Sequence, residues 1–276
     1  MSDKTRPVVL ITGASSGIGY ATALALIARG WVVYAAARRV DRMAHLAASG
    51  CEVLEMDVTD DASMQAGVDR IVHQQGRVDV LVNNAGYGSY GALEDVPIEE
   101  ARRQFEVNVF GLARLTQLVL PTMRALGRGR IVNISSVGGR IYEPIGSWYH
   151  ATKFAVEGLS DSLRLELAPH GIDVVIIQPG PIRTEWNAIS RESALERSGD
   201  GPYAAQAAAL VSNYENVDSS PLAGTAEGVA RTIVKAVTVR YPRSRYATPA
   251  SAKVIVGLRR LLPDVLMDGM LSRLAT

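Results

Sequence analysis

The stretch Val8-Val-Leu-Ile-Thr12-Gly-Ala-Ser-Ser-Gly-Ile-Gly19, followed by Tyr20-Ala-Thr-Ala-Leu-Ala-Leu-Ile-Ala-Arg29-Gly30, sets the fold class. Val8–Thr12 is a continuous apolar and β-branched run, as a strand buried on both faces of a parallel sheet requires. Gly13–Gly19 is small and flexible, and Tyr20–Arg29 has helical character with Gly30 as its stop. Working outward, further strands are predicted at Trp31–Ala36, Cys51–Met56, Val78–Val82, Arg130–Ile134, Asp173–Ile177 and Arg245–Ala247. Helices are predicted around Arg42–Ala48, Ala62–Gln75, Glu99–Leu126 (which contains Pro121), Tyr149–Leu167 and Ala226–Val239. Strand–helix alternation at this pitch implies right-handed crossovers and an α/β fold, a doubly wound, mostly parallel sheet between two helical layers. The rhythm breaks once, at residues 185–224, a polar, Gly- and Ser-containing insertion around the Ala-rich Pro202–Val217. Long excursions of this kind inside a domain are usually functional. Residues 1–250 are therefore expected to form one domain carrying that insertion, and 251–276 a C-terminal extension.

Composition removes several classes of function. The 276 residues carry 29 basic and 28 acidic side chains, a net charge of +1, which argues against nucleic acid as the main partner. A lone Cys51 excludes a disulfide framework and any zinc cluster built on thiolates. No apolar run is long enough for a membrane span. Met1–Arg6 is short and polar and leads straight into a strand, unlike a signal peptide. A cytoplasmic, reducing context is expected. The four histidines, 45, 73, 150 and 170, are scattered without ligand spacing, so no metal site is expected.

The glycine turn joins the first strand to the first helix. Gly13, Gly17 and Gly19 let the backbone approach a pyrophosphate, and the helix N-terminus offers unpaired N–H groups and partial positive charge. Their spacing is GxxxGxG rather than GxGxxG. About 20 residues further on, the second strand ends in Ala36-Ala37-Arg38-Arg39. A carboxylate there would bind the adenosine ribose and repel a 2′-phosphate; no acid is present until Asp41. Arg38, with Arg39 behind it, can pair with a phosphate, which favours NADP(H), NAD(H) remaining possible. The plain alternative is that both arginines form a solvated face.

Tyr149 and Lys153, four apart, share one face of a helix. Ser136 follows the fifth strand, thirteen residues before Tyr149, and the carboxyl ends of strands line the ligand crevice of a doubly wound sheet. Reduction of a ketone leaves an alkoxide that needs a proton. A phenol, ordinarily near pKa 10, is expected to be made more acidic by the neighbouring ammonium, while the Ser136 hydroxyl stabilises the developing charge. His150 faces about 100° away from Tyr149 around the helix and is given no acid–base role.

The chain resembles the short-chain dehydrogenase/reductases over roughly Pro7 to Ala247. The matching pieces are Thr12–Gly19, Asp57-Val58, Asn83-Asn-Ala-Gly86, Asn108, Asn133-Ile-Ser-Ser136, Tyr149-x-x-x-Lys153 and Pro179-Gly-Pro-Ile-Arg-Thr184. The resemblance implies a Rossmann fold in which Tyr149 is the acid/base, Ser136 orients the carbonyl, Lys153 also holds the nicotinamide ribose and Asn108 positions a water in a proton relay. It assigns the cofactor to Gly13, Ser15, Ser16, Gly17, Ile18, Gly19, Arg38, Asp57, Val58, Asn84, Ala85, Gly86, Tyr149, Lys153, Pro179, Gly180, Ile182 and Thr184. Asn83 would stabilise the central sheet. Asn108, inside a predicted helix, could instead bond a neighbouring carbonyl. The family's substrate lid falls at 185–224, and its members pair through the helices that carry Asn108 and Tyr149, so a homodimer or homotetramer is implied.

Tyr87, Ile141, Tyr142, Pro144 and Trp148, near the serine and tyrosine, and Trp186 and Ile189, opening the insertion, suit a large, weakly polar alcohol or ketone, or else are ordinary core. The run Arg140–Lys153 is similar to the 17β-hydroxysteroid and retinol dehydrogenase-like branch. The expected function is interconversion of a secondary alcohol and a ketone, or an aldehyde and its alcohol, on a steroid-, retinoid- or lipid-like substrate. A 3-oxoacyl thioester reductase is the alternative. A non-catalytic NADP(H) sensor would have no need of Ser136, Tyr149 and Lys153 together. The tail mixes Val, Leu and Ile with Lys253, Arg259, Arg260 and Arg273; packing or covering the substrate mouth is favoured over a membrane surface because Pro263 interrupts it.

Overall fold

The computed structural model describes residues 6–221 and 223–272. Met1 to residue 5 of the polar lead, and Arg273 with the rest of the tail's end, lie outside the described residues.

The strands are β1 (Val8–Thr12), β2 (Val32–Ala37), β3 (Glu52–Glu55), β4 (Val80–Asn83), β5 (Gly129–Ile134), β6 (Ile172–Pro179), β7 (Ile182–Arg183), β8 (Gly224–Thr225) and β9 (Arg245–Thr248). Seven of them form one parallel sheet in the order β3-β2-β1-β4-β5-β6-β9, and β7 pairs with β8 beside it. The order reverses between β1 and β4, the switch point at which such sheets open a crevice beyond their carboxyl ends.

The helices are α1 (Gly17–Ile27), α2 (Ala44–Ala48), α3 (Asp61–Gln75), α4 (Ile98–Phe105), α5 (Gly111–Leu126), α6 (Ser147–Leu167), α7 (Glu185–Ser198), α8 (Ala204–Ser219), α9 (Ala226–Thr238), α10 (Ala250–Leu261) and α11 (Asp264–Ser272). Every residue of β1 is buried, for the reason its sequence gives: alternate side chains serve opposite faces. Val9 and Ile11 pack with Leu26 of α1 and Ile233 of α9. Val8 and Leu10 pack with Ile71 of α3 and Leu115 of α5. The result is a three-layer Rossmann fold.

The predicted helix at Glu99–Leu126 is present as one continuous helical stretch, widened by a single π-turn at Glu106–Phe110 between α4 and α5. Such single-turn widenings occur often at functional sites. Here the turn carries Asn108 inward, where its Oδ1 accepts from Tyr87 N (3.0 Å) and its Nδ2 donates to Tyr87 O (2.9 Å) and Thr152 Oγ1 (3.1 Å). Together these three bonds anchor the β4–α4 loop to α6. The insertion at 185–224 folds mainly as α7 and α8, which stand over the carboxyl end of the sheet. The tail forms α10 and α11, separated at Pro263 as a residue without a backbone N–H dictates.

Candidate active site

A cavity of about 920 Å³ opens at the carboxyl ends of β1, β4, β5 and β6. It is bordered by Gly13, Ser15, Ser16, Gly17, Ile18, Arg38, Asp57, Val58, Asn84, Ala85, Gly86, Ser136, Tyr149, Lys153, Pro179, Gly180, Ile182 and Thr184. Gly19 and Asn108 stand behind its wall. A Cβ on Gly19 would lie 2.5 Å from both Gly13 O and Asn84 Nδ2, so this glycine permits close packing of the turn.

The turn end of the cavity is built for an anion. Gly17 opens α1 with φ +54°, and a Cβ there would meet nothing within 4 Å. Ser16, the N-cap, is extended and its side chain caps nothing, so the first N–H groups of α1 are left for a ligand. Asn84 holds the turn in place, donating from Nδ2 to Thr12 O (2.9 Å) and Gly13 O (3.2 Å). Asn83, one residue earlier, ties the sheet to α5 through Thr116 Oγ1 (3.1 Å) and Asn133 Oδ1 (2.9 Å). Exposed Arg38 lies 4.0 Å from Asp57, and Arg39 donates to Ser15 Oγ at 3.4 Å, so both guanidinium groups stand beside the turn. The residues fit a dinucleotide: N–H donors for its pyrophosphate, and cations with room around them for its adenosine end.

At the centre, β5 delivers Ser136 and the first turns of α6 deliver Tyr149 and Lys153. The Ser136 hydroxyl hydrogen-bonds the Tyr149 phenol and accepts from Gly138 N at 3.0 Å. Lys153, buried, donates to Ile134 O at 3.0 Å, and its Nζ lies 5.9 Å from the Tyr149 ring centroid. The expectation that the ammonium acidifies the phenol does not hold in this state. Burial dominates and raises Tyr149 above the ordinary phenol value; the Ser136 bond opposes this and Glu143 adds to it. The same burial brings Lys153 down to about 8, with Glu157 partly opposing the shift. The phenol is thus held protonated at neutral pH, the form that donates to a carbonyl oxygen.

His150 borders the cavity beside Tyr149, with ring centroids 5.6 Å apart. Its Nε2 accepts from Glu143 N (3.1 Å), so the proton sits on Nδ1, which donates to Gly138 O (2.9 Å). Both nitrogens are occupied in holding the loop before α6.

Beyond Tyr149 the cavity is bordered by residues of α7, α8 and the tail. Tyr87, Ile141, Pro144, Trp186 and Ile189 border it, whereas Tyr142 and Trp148 do not. Tyr142 turns to the tail, donating to Asp268 at 2.7 Å, and Trp148 packs edge-on against Phe105. Residues with no prior signal complete the wall: Tyr90, Glu143, Leu210, Tyr214 and Val217, and from the tail Ile255 and Leu271. Tyr90 and Tyr214 are 124 positions apart yet share a 2.9 Å hydroxyl contact, a pairing that no local pattern encodes. Among the described residues no three His, Cys, Asp or Glu side chains are grouped to hold a metal ion, and no helix is long and apolar enough to cross a membrane.

Parallel sheet, phosphate-facing turn and the Ser136–Tyr149–Lys153 cluster define a nicotinamide-dinucleotide oxidoreductase. The family model "short chain dehydrogenase" matches residues 7–194, and the chain belongs to the short-chain dehydrogenase/reductase family. It is similar to a probable short-chain type dehydrogenase/reductase, VdlC, of Helicobacter pylori, 35% identical over 95% of this chain and 96% of that one. The NADPH-dependent 3-dehydrocapnine reductase of Ornithobacterium rhinotracheale is 34% identical over 94% of each chain. The 3-ketodihydrosphingosine reductase of Bacteroides thetaiotaomicron is 44% identical over 64% of each. Among solved structures, a Burkholderia phymatum enzyme of this family in complex with NAD superimposes with TM-score 0.81, at 29% identity and 97% coverage of each chain. A metagenomic short-chain oxidoreductase in complex with NADP gives TM-score 0.69, at 27% identity over 88% of this chain and 96% of that one. The chain is therefore an enzyme acting on CH–OH or keto groups with a nicotinamide dinucleotide.

Proposed function

We propose that the protein is an NADP(H)-dependent reductase of a ketone carried on a long, weakly polar, lipid-like substrate. The observation that carries this reading is the continuity of the cavity. It runs without a break from the glycine turn, past the Tyr149 hydroxyl, to an apolar wall of Ile189, Leu210, Val217, Ile255 and Leu271. Two relatives are named as a 3-ketodihydrosphingosine reductase and an NADPH-dependent 3-dehydrocapnine reductase, which supports the same reading.

The chain's own residues act as follows. The first N–H groups of α1, with Arg38 and Arg39, would hold the phosphates, Arg38 taking the 2′-phosphate, with Asp57 and Val58 beside the adenine. Lys153 and Tyr149 would meet the nicotinamide ribose, and Pro179, Gly180, Ile182 and Thr184 the carboxamide end. A reduced nicotinamide held there would supply the hydride that the carbonyl carbon takes up. Ser136 donates a hydrogen bond to the carbonyl oxygen, and Tyr149 gives it the proton that completes the alcohol. Asn108 keeps Tyr87, Thr152 and hence the lysine's turn of α6 in place for proton resupply. We propose a homodimer or homotetramer built on the π-turn with α5 and on α6, where Phe110 and Phe154 stand exposed at 54% and 44%.

The test is a coupled absorbance screen with NADPH and with NADH over long-chain ketones, steroids, retinoids, small polar sugars and 3-oxoacyl thioesters. Turnover confined to sugars or to thioesters would overturn the lipid-ketone reading.

A further inference from the structure

Glu143 has no role in the mechanism above, yet it borders the same cavity as Ser136, Tyr149 and Lys153. We propose that its carboxylate selects ketones that carry an ammonium group on the carbon next to the carbonyl, acting as counter-ion to that ammonium. The inference rests on the reading of this site as a ketone reductase.

Four carboxylates border the cavity, and three have an arginine at hand. Asp57 lies 4.0 Å from Arg38, Glu100 lies 3.6 Å from Arg197 and Glu185 lies 3.2 Å from Arg42. Among the described residues Glu143 is paired with no lysine or arginine. Its neighbours are neutral: Tyr90 donates to Oε1 at 3.3 Å, and the Tyr214 hydroxyl also bonds it. His150 Nε2, 3.9 Å away, is the acceptor of Glu143's own N–H and so carries no proton. Burial raises the Glu143 carboxyl above its ordinary range, while His150 and the Tyr90 and Tyr214 hydroxyls oppose the shift. Its side chain is nonetheless 41% accessible, and the cavity is what it reaches.

The carboxylate is also held in place. Glu143 N is tied to His150. Two residues on, buried Ile145 adopts φ +66°, a conformation L residues rarely take, and its carbonyl accepts from Gly91 N at 2.7 Å. Strain retained in a loop beside a reacting group marks preorganisation. Around it Tyr90, Tyr149, Trp186 and Tyr214 stand with ring centroids 5.2–5.9 Å apart, presenting aromatic edges and faces of the kind that receive organic cations.

This charge bears on the chemistry. Glu143 disfavours negative charge on Tyr149, and by the same Coulomb repulsion it would oppose negative charge growing on a carbonyl oxygen beside that phenol. A neutral ketone meets that repulsion in full. A ketone with an adjacent ammonium cancels it and adds a charge-assisted hydrogen bond. Discrimination thus has an attractive and a repulsive part.

The experiment compares kcat/KM for two straight-chain 3-ketones of equal length, one with a 2-amino group and one without, in the wild type, E143Q and E143D. The wild type should prefer the amino ketone by about 10- to 100-fold, the worth of one charge-assisted hydrogen bond. In E143Q the ratio should fall to about 1, and E143D should retain part of it. Calorimetry on the coenzyme-bound protein should show the 2-amino alcohol binding more tightly than the plain alcohol in the wild type and not in E143Q. Equal use of both ketones by the wild type, an unchanged ratio in E143Q, or equal loss on both ketones in E143Q overturns the role of Glu143 and leaves the ketone-reductase reading standing. Failure to reduce either ketone, with NADPH bound, overturns both.

Discussion

Replacing Gly17 by Ala separates the conformational and the ligand-facing roles of the turn. Gly17 sits at φ +54°, where a Cβ costs about 1–2 kcal/mol. For a chain of this size that lowers Tm by about 2–4 °C. No protein atom lies within 4 Å of the added methyl, so nothing else in the fold is disturbed. The methyl instead enters the cavity beside the free N–H groups of α1. Loss of one charge-assisted hydrogen bond there weakens NADPH by about tenfold or more. Gly19→Ala fails differently: its Cβ, 2.5 Å from Gly13 O and Asn84 Nδ2, forces the turn apart. Overpacking of about 3 kcal/mol, offset by about 1 kcal/mol of helix propensity, leaves a loss near 2 kcal/mol. Calorimetric titration with NADPH and a thermal melt on each variant read both quantities. Wild-type NADPH affinity in Gly17→Ala would refute the assignment of this turn to the phosphates.

Arg38→Ala should raise the KM for NADPH by about 10-fold or more and leave that for NADH within about twofold, since only the former carries the phosphate that the guanidinium meets; parallel steady-state kinetics with both coenzymes check it, and equal losses would reassign Arg38 to a solvated face. Lys153 at about 8 sets a pH limit. It is charged below that value and loses its proton above it, so kcat/KM for ketone reduction should be level from about pH 6 to 7.5 and fall about tenfold per unit above pH 8, while a profile level to pH 10 would contradict a required ammonium. Deleting residues 251–276 removes Ile255 and Leu271 from the cavity wall and should raise the substrate KM with NADPH affinity unchanged; unchanged KM and unchanged mass in light scattering would show the tail to be dispensable.

The central sheet was legible in the sequence because β1, and Val174–Ile177 within β6, are apolar without alternation, as burial on both faces requires. The turn was legible as a chemical motif, but not the division of labour within it. Gly17 faces the cavity and Gly19 faces its own neighbours, a difference that depends on where Asn84 arrives from β4. The π-turn at Glu106–Phe110 was not legible, because the same residues continue a helical pattern on either side. The substrate end was legible only in part. Trp186 and Ile189 could be placed from their nearness to the insertion, whereas Tyr90 with Tyr214, and Ile255 with Leu271, meet only when distant segments fold together. Tyr142 and Trp148 were drawn toward the site by proximity in the chain, and their helix and loop turn them elsewhere. The state of Tyr149 needed the structure, since whether Lys153 or burial governs the phenol depends on how much protein surrounds it.

The proposed proton transfer depends on one oxygen atom, the Tyr149 hydroxyl. Tyr149→Phe should bind NADPH with wild-type affinity in calorimetry and lose about 10²- to 10⁴-fold in kcat on the best ketone of the screen, the span of a positioned proton donor. Turnover within threefold of the wild type, with the coenzyme bound, would contradict it.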